Sequence, residues 1–300
     1  MTTPRVTPDG WRRRGRVVET AAGKIFVVVL EPPRATPERA PLLVLHGFPT
    51  SSWDFAEAAG ILSRTRKVVL FDFLGFGYSE KPEGAAYSLF EQAEVTLLVA
   101  RALELSRAHV WAHDMGTSVL TELLARREHG LCPLAFASVT FMNGSMHMDL
   151  ATPTIGQHIL KSRFGPAFAR LSSRATFTRQ LARVFAKAPP REMLDAMWEL
   201  ASRDDGLARF PAVVKYMDDR VRFARRWLGA LARADLPVLV AWGELDPVAR
   251  LAIAERLARE TPGARLETFP GLGHYPQVED PSSVAAVLER FLEATDRASA

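Results

Sequence analysis

Short runs of consecutive apolar and β-branched residues recur along the chain, each followed by a longer stretch with apolar positions at helical spacing. The apolar runs predict strands at Arg16–Thr20, Lys24–Leu30, Leu42–His46, Val68–Asp72, His109–Ala112, Ala135–Phe141, Pro237–Trp242 and Arg265–Phe269. LLVL, KVVLF and PVLVAW lack the in–out alternation of a half-exposed strand, as expected for strands covered on both faces. Helices are predicted at Ser51–Ser63, Leu89–Leu105, Met115–Arg127, Ala249–Arg259 and Ser282–Phe291. Strands alternating with helices imply an α/β protein whose eight-stranded sheet is mostly parallel and carries helices on both faces. The first two runs, joined by Ala21-Ala22-Gly23, predict a hairpin.

The alternation breaks once. From about Ser145 to Leu231 no convincing strand occurs; helical segments rich in Arg, Leu, Phe and Met are cut by Pro153, Pro166, Pro189-Pro190 and Pro211. A helical block between two strands of one sheet predicts a cap over the carboxyl ends of the strands, where open α/β sheets bind ligands. The expected domains are a core of residues 1–144 and 232–300 and a cap of residues 145–231.

Composition narrows the classes. The 300 residues are 48% hydrophobic, enough for a core plus an inserted subdomain. Two arginine runs, Arg12–Arg14 and Arg220/Arg222/Arg225/Arg226, read as solvated faces rather than nucleic-acid or anionic-lipid sites, because the net charge is only +4. The single cysteine, Cys132, excludes an internal disulfide and a cysteine metal cluster and fits a reducing cytoplasm. MTTPRVTPDGWRRRG has no apolar stretch for a secretory leader, and no run is long enough to span a membrane. No His/Asp/Glu set has metal-ligand spacing, and no metal or cofactor is expected.

Four motifs carry candidate chemistry, each in a loop after a predicted strand. In AHDMG the strand ends in Ala112 and the chain reads small–x–Asp–x–Gly into a helix, the pattern of a nucleophile elbow with Asp114 where serine is usual. In HGFP, after Leu42–Leu45, the glycine loop can aim the Phe48 N–H into the site, beside that of Met115, as an oxyanion hole. Asp246 in GELDP and His274 in GLGHYP complete the chain order nucleophile, acid, base. His46, His113, Asn143 and Trp198 are candidate pocket residues. Asn143 follows the sixth strand, where an amide cannot serve as the catalytic acid. The LGFGYS stretch after Asp72 lacks a Walker lysine and reads as a loop against the site floor, not a phosphate cradle.

On these motifs the chain resembles the α/β-hydrolase superfamily over nearly its whole length. HGFP and HDMG resemble the epoxide hydrolase and haloalkane dehalogenase branch. HGFPTSSWDF, VVLFDFLGFGYSEKP, AHDMGTSVLTELLAR, RRWLGAL and HYPQVEDP resemble the mesoderm-specific transcript group and its bacterial relatives, commonly labelled epoxide-hydrolase-like. The resemblance implies the α/β-hydrolase fold with an inserted helical cap, and a triad of Asp114, Asp246 and His274.

An aspartate nucleophile restricts the reaction. Attack on an acyl carbon would leave a reactive anhydride, whereas attack on a saturated carbon leaves an alkyl ester on Asp114. Water activated by His274 then cleaves that ester, with Asp246 orienting the imidazole. The substrate is therefore expected to be a small apolar epoxide, opened to a diol, or an alkyl halide. Epoxide hydrolases of this type usually place two tyrosines in the cap; here only Tyr216 lies there and is the candidate acid. Dehalogenases typically place Trp after the nucleophile, where Met115 stands. A protein of this fold that binds without turnover is the third reading. Composition leaves the oligomeric state open.

Overall fold

The computed structural model describes residues 6–34 and 38–299. The first five residues of the stretch read above as lacking a leader lie outside the described residues. The eight strands are β1 (Gly15–Thr20), β2 (Gly23–Leu30), β3 (Leu42–Leu45), β4 (Val68–Phe71), β5 (Arg107–His113), β6 (Ala135–Met142), β7 (Val238–Gly243) and β8 (Arg265–Phe269). They form one sheet in the order β1-β2-β4-β3-β5-β6-β7-β8. The β1–β2 hairpin and the β2–β4 pair are antiparallel, and the remaining pairs are parallel.

Strand side chains alternate between two cores. Ile25, Val27, Leu43, Leu45, Val69 and Phe71 pack on one face; Phe26, Val28, Leu42, Val44, Val68 and Leu70 pack on the other. This double coverage is why these strands read as unbroken apolar runs.

The helices of the chain are α1 (Pro8–Arg14), α2 (Ala56–Leu62), α3 (Leu89–Ala102), α4 (Met115–Glu128), α5 (Ile155–Lys161), α6 (Gly165–Leu171), α7 (Arg174–Ala182), α8 (Arg191–Ser202), α9 (Gly206–Val213), α10 (Tyr216–Arg222), α11 (Ala224–Ala232), α12 (Leu251–Glu260), α13 (Pro276–Glu279) and α14 (Pro281–Ser299). Helices α5–α11 lie between β6 and β7. The helix expected over Ser51–Ser63 opens instead as a 3-10 turn, Ser52–Phe55, because Ser51 caps it and Asp72 takes both the N–H and the hydroxyl of Ser52. Helix α1 is an addition to the sequence expectation. Its signals are local: Thr7 accepts the Gly10 N–H as N-cap, Pro8 stands in the first turn, and Trp11 is fully buried.

The second arginine run is solvated as expected at Arg222 and Arg225 but departs from that expectation at Arg220 and Arg226. Arg220 is 3% exposed, and Arg226 pairs with Glu122, a buried residue of α4 that also accepts from Arg126 and Trp227. Helix α11 is thereby tied to the helix that starts at the candidate nucleophile.

Candidate active site

Strand β5 ends at His113 and α4 begins at Met115, so Asp114 alone makes the turn. Its φ of 44° and ψ of −112° lie outside the regions open to most L-residues. A strained backbone at a strand-to-helix corner is the geometry that pushes a side chain into a site. The neighbouring small residues are required by contact. A Cβ on Gly116 would stand 2.4 Å from the Leu45 carbonyl oxygen, and one on Gly47 2.7 Å from the Asp114 Cβ. The glycine loop after β3 therefore lies directly against the elbow.

Asp114 is held from several sides. Its Oδ2 accepts the Phe48 N–H at 3.0 Å. Its backbone carbonyl accepts the Thr117 N–H at 3.1 Å and Arg220 Nη2 at 3.1 Å, and the same nitrogen stands 3.5 Å from Oδ1. Arg220 Nε donates to Ser118 at 2.8 Å. Burial opposes ionisation of Asp114, but the charges of Arg220, His274 and His113, together with the Phe48 N–H, outweigh it and hold the carboxyl below its ordinary range.

His274 donates from Nδ1 to Asp246 Oδ2 at 2.7 Å. Asp246 is fixed in turn: Oδ1 accepts the N–H groups of Val248 and Ala249, and Oδ2 also accepts from Asn143. Burial would lower the His274 pKa, but the charge and hydrogen bond of Asp246 and the charge of Asp114 raise it above the usual value. The imidazole thus lies between two carboxylates in the manner of a base with its orienting acid.

Three expected pocket residues stand behind this constellation rather than on a cavity wall. His46 Nε2 accepts the Phe73 N–H while Nδ1 donates to Gly47 O; burial lowers its pKa and both nitrogens are used in holding the glycine loop. His113 Nε2 donates to the His274 carbonyl at 2.7 Å, and burial pushes its pKa down to about 4. Asn143, with φ of 45°, accepts the Gly243 N–H and donates to Asp246, bridging the ends of β6 and β7.

The cavity that meets Asp114 and His274 lies under α5, α6, α7 and α9, with Phe48, Leu160, Phe168, Leu181, Phe210 and Tyr275 among its apolar walls. Among the described residues no lysine or arginine lines it. Trp198, expected there, is off the wall; it packs its ring 5.4 Å from Phe177, which does line the cavity. Tyr216, the candidate acid, does not line this cavity, although it lies close enough to feel the charge of Asp114. It is buried, its ring stacks on the Arg220 guanidinium at 4.5 Å, and its hydroxyl accepts from Gln157 Nε2 at 3.0 Å. Gln157, not Tyr216, faces the cavity.

The tyrosine on the wall is Tyr275, next to the base. Sequence reasoning missed it because it follows His274 directly and lies outside the inserted block. Its ring stacks on Phe185, and its hydroxyl lies beside Phe48 O and the Thr50 hydroxyl. Thr50 in turn donates to Asp54, a buried carboxyl whose pKa is pushed up to about 8, first by burial and also by the nearby charge of Asp72.

Comparison with known proteins agrees with this architecture. The alpha/beta hydrolase fold family matches residues 40–281. The chain belongs to this family. It is 41% identical to the putative hydrolase LipZ of Mycobacterium tuberculosis over 95% of this chain and 97% of that one. It is 33% identical to the mesoderm-specific transcript protein of Mus musculus, over 93% and 86% respectively. Among solved structures, the haloalkane dehalogenase DbeA from Bradyrhizobium elkani matches with a TM-score of 0.79 at 19% identity, covering 95% of this chain and 99% of that chain. A membrane phospholipase A matches with a TM-score of 0.74 at 22% identity, covering 94% and 86%. These two show the shared fold. The protein is a hydrolase of the α/β family.

Proposed function

We propose that the protein opens a small, neutral, apolar epoxide to a diol through a covalent ester on Asp114. The observation that carries the proposal is the elbow itself: a strained aspartate, held ionised, receives the Phe48 N–H on one carboxylate oxygen and shares an apolar cavity with His274. Helices α5–α11 act as the cap in this reading.

In the first step Oδ1 of Asp114 attacks a saturated ring carbon. The carbon–oxygen bond of the epoxide breaks, and the alkoxide takes a proton from a phenol. Tyr275 is suited to this role by its place on the wall; Tyr216, behind Gln157, is a supporting residue. In the second step His274 takes a proton from water, and the hydroxide adds to the Asp114 carbonyl carbon. Charge gathers on Oδ2, where the Phe48 N–H, with that of Met115, stabilises it; one such donor contributes about 3–4 kcal/mol. Collapse expels the diol oxygen, which takes the proton from His274; the new carboxyl of Asp114 gives up its proton and solvent returns one to the phenolate, so that Asp114, His274 and the tyrosine end as they began. The sum is epoxide plus water to diol.

A halide leaving group is less well served. It calls for N–H donors such as indole, and none of the six tryptophans lines the cavity. A carboxylate substrate would find no cationic side chain on the wall. The test is turnover of aryl and alkyl epoxides beside a haloalkane panel, following diol and halide, with Asp114→Ala as control. Diol that disappears in Asp114→Ala supports the proposal. Halide without diol, or neither product, overturns it.

A further inference from the structure

Charge is unevenly spread. Between Leu150 and Arg191 the chain carries eight basic residues (Lys161, Arg163, Arg170, Arg174, Arg179, Arg183, Lys187 and Arg191) and no acidic one, while the remainder of the chain has more acidic than basic residues. This segment forms α5, α6 and α7, the helices whose inner sides line the cavity. Neighbouring acids neutralise part of it: Lys161 pairs with Asp218, and Arg174 and Arg191 with Asp195. Arg163, Arg170, Arg179, Arg183 and Lys187 are exposed and form no ion pair with any carboxylate among the described residues.

The same helices expose large apolar side chains. Ile155 is 73% exposed, Phe164 60% and Leu171 82%. Phe164 sits at the turn between α5 and α6, with the Arg163 guanidinium 4.7 Å above its ring; Ile155 begins α5 and Leu171 ends α6. Their helix mates Leu160, Phe168 and Ala169 face the cavity. Helices α5 and α6 are thus apolar on both sides, inward to the cavity and outward to solvent, and α7 adds the unpaired Arg179 beside them.

We propose that the outer face of α5–α7 docks on an anionic lipid bilayer. Exposed Phe and Leu beside Arg and Lys, with no acid in the segment, is the composition of an interfacial helix, whose apolar side chains enter the headgroup boundary while its cations meet lipid phosphates. A water-soluble partner would call for less exposed apolar area, and a second copy would bring a second basic segment against the first. Among the described residues no helix is long and apolar enough to cross a membrane, and the proposed attachment is a peripheral one. It sets the cavity roof against the phase in which an apolar substrate concentrates. The docking does not depend on which reaction Asp114 performs.

The test is co-sedimentation of the full chain with vesicles of phosphatidylcholine alone and of phosphatidylcholine containing phosphatidylglycerol. Phe164→Ser/Leu171→Ser and Arg163→Glu/Arg170→Glu are the variants, and Leu131→Ser, an exposed apolar site in the core outside α5–α7, is the control. The proposal expects binding to the anionic vesicles that weakens with salt, falls at least roughly tenfold in each cap double variant and is unchanged in Leu131→Ser. Circular dichroism and melting confirm that the variants fold. No binding to anionic vesicles, equal binding to both vesicle types, or binding insensitive to the cap substitutions overturns it. So does concentration-dependent dimerisation that Leu171→Ser abolishes without any vesicle binding, since that would assign the face to a second copy.

Discussion

Arg220, on helix α10, donates to the backbone carbonyl of Asp114 at 3.1 Å and places the same nitrogen 3.5 Å from its Oδ1. A residue of the inserted block therefore supplies the strongest charge that offsets the burial of Asp114. The contact joins two functions: it keeps Asp114 ionised, and it anchors α10 over the elbow.

Arg220→Gln tests both. Without the guanidinium, burial dominates and the Asp114 pKa rises. The acidic limb of kcat/KM then moves to higher pH, because the reactive carboxylate is lost earlier as pH falls. Loss of one partner of a buried pair costs about 3–5 kcal/mol, so the melting temperature also drops. An acidic limb at its wild-type position would show that Arg220 only braces the helix.

How this arrangement escaped the sequence is a matter of range. The strands were legible because coverage on both faces leaves long apolar runs, and the grouping of Asp114, Asp246 and His274 because each follows such a run. Arg220 lay in a run of arginines on an amphipathic pattern, and nothing local distinguishes a buried arginine from its solvated neighbours when its partner is 106 residues away. Tyr275 was obscured for another reason: which side of a loop a residue faces depends on tertiary packing, and Tyr275 shares its loop with the recognisable His274 motif. Asn143 was legible as a residue near the site, but its bridge from Asp246 to the Gly243 N–H was not, because both partners are about a hundred residues away.

His274→Gln separates the two chemical steps. The first step needs no base, so a single turnover should proceed and stop at the ester. Intact-protein mass spectrometry is expected to show the enzyme increased by the mass of one epoxide, with the adduct on the peptide that contains Asp114. Unmodified protein after prolonged incubation with a substrate of the wild type would contradict the ester route.

Asp246→Asn should act through His274. Burial lowers the imidazole pKa and Asp246 raises it. With the carboxylate gone, the pKa falls, and the limb of kcat set by His274 deprotonation shifts to lower pH. The rate itself drops by up to about 10⁴-fold, as expected when the imidazole loses its orienting partner. A limb that stays in place would remove Asp246 from the role of acid.

Asp54 links stability to pH. Its folded pKa of about 8 lies well above the unfolded carboxyl value, first because of burial. The folded state therefore holds this proton more tightly. The contribution is full below the unfolded pKa, declines as pH rises, and is lost once pH passes the folded value. Relative to Asp54→Asn, the melting temperature of the wild type should fall steadily from acid pH to about pH 8 and then level off. A difference independent of pH would show that the carboxyl is not buried in its neutral form.

Gly47→Ala asks whether the loop–elbow contact serves folding or chemistry. The added methyl would meet Asp114 Cβ at 2.7 Å and Oδ2 at 3.0 Å, with the His113 carbonyl at 3.2 Å. Something must shift, and the nearest atoms in the way belong to Asp114. The loop carries the Phe48 N–H, so its retreat also lengthens the bond to Oδ2. Overpacking of this kind costs about 1–3 kcal/mol in stability. The loss in kcat should exceed it, because displacing the oxyanion donor alone slows ester cleavage by about 10²–10³-fold. Gly60→Ala on helix α2, where an added Cβ meets nothing within 4 Å, should change neither quantity for the worse. Measured together by melting and single-turnover kinetics, a Gly47→Ala enzyme that loses stability but keeps its rate would place the oxyanion donor somewhere other than Phe48.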